Sequence, residues 1–100
     1  MDDVRIMARI ARRHACIASV SAAVAVAAGA FGAHALRDVL SEPRLQTWNT
    51  AARYQMWHAL AVLILSLHAT QGQFVVPQRL FIVGTLVFSG SLYALCLSGI

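Results

Sequence analysis

Long stretches without charge alternate with polar segments along this chain. Residues 15–33 read "ACIASVSAAVAVAAGAFGA", 19 residues with no charged side chain. As a helix rising 1.5 Å per residue, that length crosses about 30 Å of hydrocarbon. A second apolar run, Met56 to Ala69, is about 14 residues long and short for a crossing. Extending it back through Ala51 and Ala52, with Arg53 snorkelling to the interface, restores the length. The third run, 80–100, is again uncharged. The pattern divides the chain into a basic flank over 1–14, a first span over 15–36 and a polar connection over 37–52. A second span over 53–69, a connection over 70–79 and a third span over 80–100 follow. The expected fold is all-α: an integral membrane helical bundle of three transmembrane helices plus a short amphipathic interfacial helix.

That interfacial helix starts at Ser41-Glu42-Pro43, a cap, a first-turn acid and a proline where no N–H is needed. Leu45, Trp48, Ala52 and Gln55/Met56 then recur at helical spacing, and this helix can run straight into the second span. Trp48, Tyr54 and Trp57 are expected at headgroup depth, and Gly72 and Pro77 punctuate the second connection. Small residues mark the packing surfaces. Ala25, Gly29 and Ala33 are spaced by four, as are Ala28 and Gly32, a spacing that lets helices approach closely in lipid. Phe31 between the glycines points elsewhere, toward lipid. Gly84, Gly90 and Ser91 are the corresponding small positions of the third run.

Composition agrees with this pattern. Hydrophobic residues make up 59% and charged residues 12%, about half the usual charged share of a soluble domain. A 100-residue chain cannot cover its surface with so few charges, so the bilayer is the expected partner. The net charge of +4 comes entirely from arginine. These arginines sit at the ends of apolar runs and form no stripe, so they fit headgroup anchoring and not nucleic-acid binding. Five lie on the side of the N-terminus and second connection, against Arg37, Arg44 and Arg53 on the other. The tally puts the N-terminus in the cytoplasm of a multi-pass protein of the cell membrane, the inner membrane in a bacterium. A signal peptide competes for the first run, with "AHA" at Ala33–Ala35 as a cleavage site. The run is longer than a signal's apolar region, however. Cys16 and Cys96 lie in apolar runs without metal-ligand spacing and read as buried small hydrophobes. Asp2 and Asp3 are expected in a mobile tail.

"GAFGAHALRD" over 29–38, "WNTAARYQMWHALAVLIL" over 48–65 and "SGSLYALCLSG" over 89–99 resemble the small membrane proteins grouped as domain of unknown function 423. That group is similar to the eukaryotic transmembrane protein 256. The likeness runs from about Ala22 onward. It implies a four-span membrane protein without an established biochemical activity, and supplies no catalytic residues. The chain departs from the pattern in lacking a fourth span after Ile100 and in having Trp57 where tyrosine is commoner. A truncated member of the family is therefore expected.

A protonatable group at membrane depth is a default site hypothesis. An antiparallel hairpin would gather His34, Arg53, Tyr54 and His58 on the first-connection side, with His14 and His68 opposite. Asp38 could meet Arg53 across the connection. First place goes to a structural role, the histidines bonding backbone or each other and tying helix ends together. Headgroup or quinone binding, proton or ion traffic, and haem or metal ligation follow in that order. No metal site and no cofactor are expected, and the sequence holds no nucleophile elbow, Gly-rich phosphate loop or paired acids at working separation. The leading function is a structural or accessory membrane component, packing in a homo-oligomer or against another membrane protein. The alternatives are a small transporter or channel subunit using the His/Arg/Tyr cluster, and a haem- or quinone-binding subunit.

Overall fold

The computed structural model describes residues 2–68 and 74–98. Within them lie three helices: α1 (Asp2–His34), α2 (Glu42–His68) and α3 (Val75–Leu97). They run up, down and up. α1 and α3 each pack along α2 and touch one another sparsely. The result is a narrow slab, 55 × 21 × 14 Å, with α2 shared between its neighbours.

Three points about the helix boundaries matter. The basic flank is no tail: α1 begins at Asp2 and runs unbroken through residues 5–13 into the apolar stretch. The amphipathic helix runs straight into the second span, the course the sequence left open, as one helix of 27 residues. No residue in 42–68 breaks the hydrogen-bond ladder, since Pro43 sits in the first turn where the N–H has no partner to lose. α3 begins at Val75, five residues before the uncharged run, because Pro77 is likewise a first-turn residue and Gln78 N–H reaches Phe74 O at 3.0 Å. Gly72 lies outside the described residues.

Small residues make the α1–α2 contact. Ala11, Ala18, Ala25 and Gly32 are buried and spaced by seven, and His14, Ser21 and Ala28 fall between them. α2 answers with Trp48, Ala52, Gln55, Ala59, Val62 and Ser66. Alternating steps of three and four on both helices are the spacing of a left-handed coiled-coil seam. Alanine at most α1 positions lets the backbones come close. Trp48 makes the tightest approach: a Cβ on Gly32 would lie 2.5 Å from Trp48 Cδ1. α3 presents Val75, Ile82, Ser89 and Cys96, again every seven residues.

Around a core of mostly small apolar residues, several polar side chains are buried while large aliphatic ones face outward. Gln55, Gln78, Ser89 and His14 are buried, whereas Val20, Val26, Ile64, Leu80, Leu86 and Val87 are exposed. α1 and α3 are long and apolar enough to cross a membrane; α2 falls outside that description.

Candidate functional site

Two polar layers cross the interior. In the first, the buried Gln78 of α3 joins all three helices. Its Oε1 lies 3.1 Å from His14 Nδ1, and its Nε2 donates to Ser66 Oγ at 2.6 Å and to Val62 O at 3.3 Å. An amide oxygen only accepts, so Nδ1 carries the proton of His14. In the second layer, Tyr93 O–H donates to Gln55 Oε1 at 2.9 Å, and Gln55 Nε2 donates to Ser21 O at 2.8 Å. Ser89 Oγ donates to Ala51 O at 2.8 Å, and Trp48 Nε1 donates to Ala28 O at 2.8 Å. No buried side-chain nitrogen or oxygen among the described residues lacks a partner. Such satisfaction is what a polar interior requires where no water competes.

At the far end of α3, Arg44 reaches across from α2. Its Nη1 donates to Leu95 O and Cys96 O at 3.2 and 3.1 Å, while Cys96 Sγ donates back to Arg44 O at 3.2 Å. A guanidinium there neutralises the negative end of the α3 dipole and satisfies carbonyls that the helix leaves open.

The expected cluster of His34, Arg53, Tyr54 and His58 does not assemble. Trp48 pairs with Ala28 and Gln55 with Ser21. His58 therefore lies opposite Ala18, about 24 Å along α1 from His34 at 1.5 Å per residue. Only Tyr54 and His58 meet: His58 Nδ1 donates to Tyr54 O at 2.6 Å, leaving Nε2 unprotonated in the neutral ring. His58 also meets Phe81 edge-on at 5.8 Å, with Gly84 beside it. Tyr54 stacks near Trp57 and Phe88. Among the described residues, no three His, Cys, Asp or Glu side chains are placed to hold a metal ion.

The small-residue positions divide. Ala25 and Gly32 are buried in the α1–α2 contact; Ala33 is exposed, and a Cβ on Gly29 would meet nothing within 4 Å. On α3, Gly90 is likewise open and the exposed Ser91 bonds its own helix at Phe88 O; the neighbouring Ser89 makes the buried contact. Phe31 is exposed, as expected, and Cys96 is buried. Cys16 is exposed, because it falls outside the seven-residue seam. Trp48 belongs to the interior and not to an outer belt. Sequence reasoning missed the His14–Gln78–Ser66 layer and the Ala11/Ala18/Ala25/Gly32 seam. The second was legible as small residues every seven positions.

Arg53 is the outlier. The α1 pairings set it level with Ala23; Ser89 with Ala51 and Arg44 with Cys96 set it level with Val87. Both are near the middle of uncharged stretches. Arg53 is exposed and makes no hydrogen bond or ion pair among the described residues, so it does not meet Asp38.

An all-helical slab with amides inside and aliphatic side chains outside has the packing of a helical membrane protein. Residues 28–100 match the family described as "Protein of unknown function (DUF423)". The chain is 38% identical over 82 residues to a UPF0382 membrane protein of Schizosaccharomyces pombe, covering 81% of this chain and 70% of that one. The UPF0382 membrane protein YwdK of Bacillus subtilis is 35% identical over 88 residues, 84% of this chain and 72% of its own. A UPF0382 membrane protein of Haemophilus influenzae is 38% identical over 85 residues, 83% and 68%. No solved structure matches. The chain belongs to the DUF423 family, a group of small membrane proteins of unknown function.

Proposed function

We propose that this chain is a structural or accessory component of the cell membrane, crossing the bilayer with all three helices and packing against another membrane protein or copy of itself. The outward-facing large aliphatic side chains are the observation that carries this reading. The aliphatic side chains of α1 and α3 face outward, and the side chains that need partners bond one another inside. α2 shares the depth of its neighbours because it is hydrogen-bonded to both along its length. Relatives longer than the stretch they share with this chain fit a fourth span in the family.

The N-terminus is assigned to the cytoplasmic side. With Arg53 level with the middle of the slab, the arginine tally sharpens to five against two, Arg37 and Arg44. A packing role is supported by the small surface at Gly29 and Ala33: a Cβ on Gly29 would meet nothing within 4 Å among the described residues, and Ala33 is exposed. The test is native mass analysis of the protein extracted from its own membrane in mild detergent. The wild type should migrate as a complex, and Gly29→Leu with Ala33→Leu should release it. Complexes of unchanged mass would refute the packing role.

A further inference from the structure

We infer that Gln46, Asn49 and Arg53 on α2 form a recognition strip inside the bilayer for a partner helix that carries a carboxylate. This rests on the three-span reading above. The three residues are exposed, and their spacing of three and four places them on one outward face of α2. Lower down, Trp57, Leu60, Ile64 and Leu67 continue that exposed face as apolar residues.

The depth of the strip makes it unusual. Arg53 lies level with Ala23 and Val87, near the centres of the two apolar helices. About 15 Å of hydrocarbon then separates it from either surface, beyond the reach of an arginine side chain. A guanidinium facing acyl chains there is strongly disfavoured, and ionisable residues within spans are found paired or lining a cavity. Arg53 has no partner among the described residues.

Residues 1–100 place no counter-charge beside it: their carboxylate side chains are Asp2, Asp3, Asp38 and Glu42, and none is on residues 43–100. A second copy packed in parallel on this face would set Arg53 against its own equivalent. An isolated anion would satisfy Arg53 and leave two amides facing lipid. A helix lying along the strip meets all three residues, because they span about 10 Å of α2 and are spaced as a helix–helix seam requires. The partner is therefore apolar over most of its length, with one Asp or Glu near its middle and acceptors or donors about one and two turns away.

The experiment reconstitutes the full-length protein in phosphatidylcholine vesicles at pH 8. Energy transfer reads its association with a leucine-rich transmembrane peptide bearing a central glutamate, or leucine at the same place. The glutamate peptide should bind at least tenfold tighter, with Arg53→Leu removing the difference and Arg53→Lys keeping part of it. Equal binding of the two peptides, or a preference that survives Arg53→Leu, would overturn the inference. Depth is read separately, from a fluorophore on Arg53→Cys in a Cys16→Ser background. Quenching by labels deep on the acyl chains supports the placement. Quenching only by headgroup labels overturns both this inference and the three-span reading, whereas deep quenching without glutamate preference overturns the partner alone.

Discussion

Two glycines three positions apart have opposite roles. Gly32 exists because the Trp48 ring occupies the space a Cβ would need, at 2.5 Å from Cδ1 and 2.8 Å from Nε1. Trp48 is fixed there by its own bond to Ala28 O, so it cannot swing away without losing a buried partner. Gly32→Ala should therefore destabilise the protein by about 1–3 kcal/mol. Gly29→Ala meets open space and should stabilise by up to ~1 kcal/mol through helix propensity. Thermal unfolding of both variants in detergent, followed by circular dichroism, distinguishes them. Sequence spacing alone marked both glycines as packing residues. It could not separate them, because the distinction depends on which α2 side chain arrives opposite. Gln78→Leu is a second residue-scale case. It keeps the side chain apolar and of similar size but strands His14, while Ser66 retains its own bond to Val62 O, and should cost about 1–2 kcal/mol in the same assay.

At the scale of elements, the seam on α1 decides which substitutions matter. Ala18→Leu or Ala25→Leu inserts bulk between α1 and α2 and should lower the unfolding midpoint. Val24→Leu, on the exposed side of the same helix, should leave it unchanged. The existence of three helices was legible in hydropathy, as was the start of α2 at Ser41-Glu42-Pro43. Their extents were less so. Residues 2–14 continue α1 because arginine and alanine are good helix formers, and no breaker separates them from the apolar run. The expected His/Arg/Tyr cluster failed for a different reason. It assumed a polar connection between two spans, whereas α2 runs straight from Glu42 and carries Arg53 and His58 far down α1. Arg44 is an element-scale contact that sequence could not announce, since its partners are backbone carbonyls 51 and 52 residues away. Arg44→Ala should loosen the end of α3, at about 0.3–1 kcal/mol, and speed amide exchange near Leu95.

For the whole molecule, the proposed orientation rests on the charge distribution. Arg9, Arg12 and Arg13 fall at the same end of the slab as Arg79, because His14 and Gln78 are bonded side by side. Fluorescent-protein fusions at the N-terminus should be bright and alkaline phosphatase fusions there inactive, as expected of a cytoplasmic end. The reverse result would invert the topology.

The shared position of α2 bears on how the molecule comes together during synthesis. α1 and α2 already possess their full mutual interface, glutamine, tryptophan and alanine seam included, before α3 has left the ribosome. α3 then docks onto a finished hairpin, guided by Ser89, Gln78 and the Arg44 clamp. Two separately translated pieces, 1–72 and 73–100, should accordingly find each other in the membrane and co-purify, without the covalent link that joins them in nature.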